Sequence, residues 1–533
     1  MKKILISAAA VALIAGFFLS ANMVKTVVSE NMGKHYYETG QYQKAVSVFN
    51  KLADTEPENP EVYAGRGYSF QGLGNYPLAI EDFTKAIALN PDYAWAYENR
   101  ANCYYNQQMY RESIADYDKL IELDPQSSFA YSRRAFSYNE LEDYQAAIES
   151  FNKAIELDPE NEEAYANRAD SYYNLEDYAA AISDCGEAIS LNTGYGWAYE
   201  VRGNSYYELE EYDKAISDFS KALSLDSDDA YAYNRRAEAY TAIGEYQKAI
   251  DDCNLLEELQ PGVPLVYAAR GYAYYGLGEY QKALSSYNYV ISSGYGGAYN
   301  YTMRGRIYVE LEQYQPAVTD FNSALKLDSK YADAYAYRAY AYDCLGGQEG
   351  AIVDYNRAIE LDPDFAWAYE QRGNVYFETG EYQKTIDDYN KVLEIDPDYH
   401  INYAYRGYSY FKTGNNQKAN SDFDTAFSLD YAALAYTYRG LYYEETGKKK
   451  DALADYNKAV ELAPEFAFAR MCRAGYYLDS EEYEKAISDC NAVIAADPKY
   501  ALAYVSLARA YLGLGDDDNF AESMREFYDL GVD

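Results

Sequence analysis

Apolar and small side chains recur along this chain with a period of 34 residues, and each period carries two helical stripes. When the period is numbered so that one copy runs from Ala94 to Ser127, positions 4, 8 and 11 form the first stripe and positions 17, 20, 24 and 27 the second. A spacing of i, i+4, i+7 places side chains on one face of a helix. Position 8 is Gly or Ala in every copy, from Gly33 to Ala508, and position 11 is Tyr in all but one, where it is Phe70. Position 20 is usually Ala (Ala79, Ala147, Ala215) and position 24 usually Phe or Tyr (Phe83, Tyr117, Phe219). Between the stripes a glycine such as Gly74, Gly244, Gly278 or Gly380 suits the left-handed conformation that ends a helix. Asp-Pro pairs at Asp124-Pro125, Asp158-Pro159, Asp362-Pro363 and Asp396-Pro397 stop the second helix. Each copy therefore predicts an antiparallel helix pair. One pair alone cannot bury both stripes, so successive pairs must stack, with small residues at 8 and 20 letting the helices approach and rings at 4, 11, 17 and 24 filling the space between pairs.

The set Tyr97, Ala101, Tyr104, Tyr110, Ile114, Tyr117 and Pro125 resembles the tetratricopeptide repeat. Fourteen copies cover residues 26–500, and a divergent capping unit covers 501–533, where Phe520, Met524 and Phe527 outline a last helix. The resemblance implies an all-α fold, an α-solenoid wound as a right-handed superhelix of stacked helix hairpins. It also implies that the first helices line a concave groove holding peptides or folded proteins. One departure stands out, because position 7, usually apolar in the family, is Arg in thirteen copies from Arg66 to Arg473.

Position 23 explains the arginines. It is Asp in eleven copies, including Asp82, Asp116, Asp218 and Asp489, and positions 7 and 23 flank the turn residue 15 symmetrically. Antiparallel helices bring them to one height, which predicts an ion-pair ladder rather than a track for anions. The terminal units lose both partners together, with Met32 and Val48 in repeat 1 and Leu507 and Ser523 in the last. Ser150 and Ser286 interrupt the ladder, so Arg134 and Arg270 are expected to find other acceptors.

Charge narrows the partners. The 46 Lys and Arg against 86 Asp and Glu give a formal charge of −40, which repels nucleic acid and anionic lipid and leaves basic or neutral protein or peptide partners. The 68 tyrosines fall mainly in repeat positions and are read as structural. Two distant histidines, His35 and His400, make no metal set, and no nucleophile motif appears, so neither an enzyme nor a cofactor is expected. Of six scattered cysteines, Cys185, Cys253 and Cys490 occupy position 24 and read as buried thiols. Residues 1–21 read as a signal peptide or an N-terminal membrane anchor: Lys2 and Lys3 precede an apolar run from Ile4 to Leu19, with Ser20 and Ala21 at a cleavage site. This predicts an extracytoplasmic protein, secreted, periplasmic or in the cell envelope.

Candidate binding residues lie on the first-helix stripe of positions 2, 5, 9 and 12, turned away from the packing face. Three repeats fill it alike: Trp95, Glu98, Asn102 and Tyr105; Trp197, Glu200, Asn204 and Tyr207; Trp367, Glu370, Asn374 and Phe377. Ring, carboxylate and amide together suit a cationic or amide-bearing ligand. The alternative is that each Trp packs on the preceding hairpin. Two functions follow as expectations: a scaffold for protein–protein interaction through an acidic, aromatic groove, or a receptor for envelope glycan or a small ligand using the Trp rings as platforms. Ser292 to Gly297, where other repeats carry Asp-Pro, predicts one weak joint.

Overall fold

The computed structural model describes residues 29–429 and 431–531, so the expected export segment lies outside the described residues. Regular structure among the described residues is helical throughout. First helices begin at position 1 and second helices at position 17, as in Ala94–Asn106 with Tyr110–Leu123, and Ala332–Cys344 with Gln348–Leu361. Side chains cap many starts: Asn161 and Asp229 accept from Ala164 N at 2.9 Å and Ala232 N at 3.0 Å. Such a cap satisfies a backbone donor that the helix cannot. Repeat 12 is one residue short, and its second helix ends early, at Phe427, after 12 residues instead of 14.

The chain forms two compact halves, divided between Leu277 and Gly278. Within each half a second helix packs on its own first helix and on the first helix of the following repeat. The position-24 rings are the core: Phe83, Phe151, Phe219, Phe321, Tyr355, Tyr389 and Tyr456 are completely buried, with the position-20 alanines Ala79, Ala147, Ala215 and Ala317 beside them. Close approach requires the small residue at position 8, since a Cβ on Gly305 would stand 2.5 Å from the Phe321 ring. No helix among the described residues is long and apolar enough to cross a membrane.

The turn is more uniform than its sequence. Position 15 is left-handed at Gly74 (φ +72°), but equally at Gln108, Glu142, Glu176, Glu210, Glu312 and Glu481, with φ between 57° and 62°. The fold imposes the conformation and tolerates the cost of a side chain there.

All eleven Arg–Asp pairs form. Each is bidentate, Nε to Oδ2 and Nη2 to Oδ1, with distances from 2.5 to 2.9 Å, as in Arg202–Asp218 and Arg372–Asp388. The aspartates are buried and the arginines mostly so (5–7% and 16–18% side-chain exposure in the pairs of Arg304, Arg338 and Arg372). The third guanidinium nitrogen does something the sequence reading missed. Nη1 reaches position 25 of the preceding repeat: Arg66 to Asn50, Arg168 to Asn152, Arg338 to Asn322, Arg406 to Asn390 and Arg473 to Asn457, at 2.6 to 2.9 Å. One side chain thus clips two repeats together. Where Ser150 replaces the aspartate, Arg134 turns to Asp118 at position 25 of repeat 3, at 2.7 Å, so the carboxylate has moved to the other jaw of the clip. Arg270 finds Asn254 at 3.1 Å.

The tyrosines at 4 and 11 flank this arginine at i−3 and i+4. Arg100 lies 5.6 Å from the Tyr97 ring centre and 5.7 Å from Tyr104, and Arg236 and Arg304 repeat the arrangement. Those rings are half-buried sides of a cationic cage. The tyrosine excess is therefore structural in a second sense, beyond the packing between pairs.

Candidate functional site

The three recurring sets do not share one geometry. Trp95 packs on the preceding hairpins, 5.5 Å from Tyr68 and 6.5 Å from Tyr37 by ring centres, with Phe83 and Tyr93 also in reach. Trp367 lies 4.5 Å from Tyr337 and near Tyr340 and Phe365. Trp197 is 37% exposed. The amides divide in the same way. Asn102 and Asn374 accept the hydroxyl protons of Tyr117 and Tyr389, at 2.7 and 2.6 Å, and so serve the core ring at position 24. In repeat 6 that ring is Phe219, which has no hydroxyl. Asn204 turns to the next repeat instead, donating to Tyr231 Oη at 2.7 Å and accepting from Arg235 Nε at 2.9 Å.

Burial pushes all three carboxyls up. Glu98 is raised against the pull of Arg133, and Glu370 against a hydrogen bond from Gln371. Glu200 is pushed up to about 7, first by burial and then by Asp229 and Asp226. Tyr105 donates to Glu140 of the next repeat at 2.9 Å. Phe377 meets Tyr382, Tyr405, Tyr408 and Tyr438, with centres 5.1 to 5.9 Å away, so that stretch of the stripe is filled by the chain's own rings.

Arg235 stands where the sequence reading expected a cationic ligand. Its guanidinium lies 4.5 Å from the Tyr207 ring centre, donates to Asn204, and reaches Glu238 at 2.7 Å and Glu208 at 3.4 Å. It occupies position 6 of repeat 7. Position 6 of repeat 4 is Arg133, 5.0 Å from the Phe136 ring centre and 3.7 Å from Glu163. Both were visible in the sequence as arginines one place before the ladder residue, but the reading gave position 6 no role.

An open cleft of about 610 Å³ lies at the other end of the N-terminal half. Tyr37, Phe49, Tyr68, Tyr93 and Trp95 supply its rings and Glu30, Glu38 and Glu61 its carboxylates, with Lys34 the one basic residue of the lining. Tyr37 and Tyr68 meet edge to face at 5.0 Å. Burial raises the Glu30 carboxyl, which accepts from Asn59 Nδ2 at 2.6 Å and lies near Glu56 and Glu61. Of the twelve residues marked on the sequence, the cleft includes Trp95 alone. Glu30, Lys34, Tyr37, Glu61 and Tyr68 come from the same stripe of repeats 1 and 2, whose filling differs from the threefold set, and the remaining lining residues flank it.

Chemistry of the other groups is limited. Cys103, Cys185, Cys253 and Cys490 are buried, and burial pushes the Cys103 thiol up to about 12. Among the described residues no group of three or more His, Cys, Asp or Glu is placed to hold a metal ion.

Comparison with known proteins agrees with the repeat pattern. Models described as tetratricopeptide repeat match residues 60–93, 94–127, 128–161, 150–183, 230–262, 366–399, 406–465 and 473–531. A TPR repeat model matches 203–244, 305–346 and 344–380. No curated protein sequence matches the chain. Similar solved structures include the Cut9–Hcn1 hetero-tetramer of APC/C (16% identity, covering 90% of this chain and 95% of that one, TM-score 0.41). Yeast Tom70 follows at 17% identity, covering 83% and 92%, with a TM-score of 0.39. YrrB, described as a TPR protein with an unusual peptide-binding site, is 27% identical over 36% of this chain and 98% of its own, with a TM-score of 0.31.

Proposed function

Since the chain belongs to the tetratricopeptide repeat family, we propose that it is a non-enzymatic scaffold, exported or membrane-anchored, that holds basic or neutral protein partners against the first-helix face of its repeats. One observation carries the chemical part of this reading. The cleft of repeats 1 to 3 combines five aromatic rings with three carboxylates against a single lysine. Such a lining favours cations by charge and by the ring quadrupole, and disfavours acidic segments. The net charge of −40 extends that preference over the whole chain. The apolar run after Lys2 and Lys3 supports location outside the cytoplasm.

A second reading, a receptor for envelope glycan, is favoured by the exposed ring of Trp197, which offers a flat apolar platform. Salt separates the two. Basic partners captured on the immobilised chain elute as ionic strength rises, because screening shortens the reach of the carboxylates. Glycan bound by stacking stays. Trp95→Ala is expected to weaken capture of basic peptides by about 2 kcal/mol or more. Capture that is insensitive both to salt and to Trp95→Ala rejects the scaffold chemistry in favour of another surface.

A further inference from the structure

The array contains its own model of a ligand. Arg235 is held by an aromatic face, two carboxylates and an amide, and its side chain is only 16% exposed. Its partners sit at positions 9, 12 and 13 of repeat 6 (Asn204, Tyr207, Glu208) and at position 9 of its own repeat 7 (Glu238), and Glu200 stands at position 5 of repeat 6 on the same stripe. Moving the same register to repeats 1 and 2 puts Lys34, Tyr37, Glu38 and Glu30 in those places, and Gly65 at position 6 in place of the arginine. These five residues line the open cleft. Repeats 1 and 2 therefore repeat the ring of Tyr207 and the acids of Glu208 and Glu200, put the Tyr68 ring in the place of Glu238, and omit the arginine. Among the described residues no lysine or arginine lies over the rings of Tyr37, Tyr68 or Trp95.

We propose that the cleft of repeats 1 to 3 is a receptor site for an arginine side chain of a partner protein, whose guanidinium takes the place that Arg235 takes in cis. The inference rests on the reading of the first-helix face as the binding surface and adds the ligand group and its position. The guanidinium lies on Tyr37, between Glu38 and Glu30, and Glu61 and the rings of Tyr68 and Trp95 close the far side. Gly65 cannot be replaced by a self-filling arginine without movement, because a Cβ there stands 2.4 Å from the Phe49 ring. The position is thus held empty by packing in repeat 1. Lys34 is the element that opposes the ligand. Its ammonium is 3.9 Å from Glu38 and its side chain is 61% exposed, so it partly neutralises the acid and can swing aside.

The test uses the full chain with Trp197→Phe and Trp367→Phe, so that Trp95 alone reports by fluorescence. The probes are acetyl-Gly-Arg-Gly-amide and its lysine and citrulline counterparts, the last matching arginine in shape without charge. Arginine peptide is expected to shift Trp95 emission with an affinity several-fold above lysine and about ten-fold above citrulline. Lys34→Asn, which installs the amide that Arg235 meets in repeat 6, strengthens binding, and Glu61→Gln weakens it. Both changes are polar, and Lys34 is exposed, so loss of folding does not confuse the result. Equal response to citrulline and arginine, or weaker binding by Lys34→Asn, overturns the proposal. Calorimetric binding of the arginine peptide that leaves Trp95 emission unmoved overturns the site but keeps a basic-partner groove. Failure of both charged peptides to bind overturns the groove chemistry as well.

Discussion

Gly186 leaves one clip unfinished. It occupies position 25 of repeat 5, where most repeats present an amide, hydroxyl or carboxylate oxygen to the next arginine, and Arg202 is held through Asp218. A Cβ at Gly186 meets nothing within 4 Å, and glycine is a poor residue for a helix interior. Gly186→Asn is expected to stabilise the chain by about 1 kcal/mol or more, from propensity and a new charge-assisted hydrogen bond. A higher urea midpoint with unchanged slope is the predicted result, and no gain rejects the clip as a stabilising device. Removing the buried carboxylate is the converse. Asp218→Ala leaves a mostly buried guanidinium without its acid and is expected to cost about 3 kcal/mol. Acidity acts on the same scale. Glu200 and Asp170 are pushed up to about 7 and about 6, both first by burial, from ordinary values of 4.5 and 3.8. Between the ordinary and the raised value the folded chain binds more protons than the unfolded chain, so stability falls as pH rises. The contribution is full below about pH 4 and lost as pH passes 6 to 7. The melting temperature is therefore expected to be higher at pH 5 than at pH 8, and Glu200→Gln to flatten the slope by about 1 kcal/mol after allowance for partial exposure. A melting temperature that climbs with pH contradicts the burial of these carboxyls. The Arg–Asp pairs were legible in the sequence, because both partners recur in one frame and vanish together at the ends. The clip to position 25 was not, because Asn, Thr, Ser and Asp alternate there and share only the ability to accept a hydrogen bond.

Helix pairs were legible for a different reason: two stripes at helical spacing, punctuated by Asp-Pro, leave no other element that buries both. The turns were only half legible. Glycine marks the left-handed residue in some repeats, but Glu142, Glu176 and Glu210 hold the same conformation with a side chain. An L-residue pays roughly 1 kcal/mol there. Glu142→Gly, Glu176→Gly and Glu210→Gly are each expected to stabilise by about 0.5 kcal/mol, less than the full strain because glycine also loosens the unfolded chain. Thermal melting of the triple variant checks the sum. The segment Ser292 to Gly297 shows the opposite design. It lacks Asp-Pro, Gly294 is left-handed with φ +84°, and Tyr295 is 57% exposed. Brief chymotrypsin digestion is expected to cut first after Tyr295, since local opening is easiest where few apolar contacts resist it. First cuts within repeats 3 to 6 would count against a weak joint. The groove was the least legible element. Asn102 and Asn374 look like Asn204 in sequence, but the hydroxyl of Tyr117 or Tyr389, absent from Phe219, decides whether the amide serves the core ring or the side chains of the next repeat.

The whole chain carries −40, and stacked helices hold those charges closer together than an unfolded chain does. Sodium chloride should therefore raise the melting temperature between low and physiological salt, because screening removes more repulsion than it costs in exposed ion pairs. The clip has a further consequence, for how such a chain changes over generations. Eleven of the thirteen arginines address the preceding repeat by register alone, 16 residues back, and any acceptor at that place will serve. Losing residues 332–365 would bring Arg372 against Asn322 in place of Asn356, with its own Asp388 untouched. A gene encoding this fold can gain or lose copies of 34 codons by unequal recombination, and the protein made at each step has no orphaned arginine at the new junction. A frame slipped by half a period has no such protection. Partner-binding stripes can thus be duplicated, shuffled and discarded while the structural code between copies is conserved.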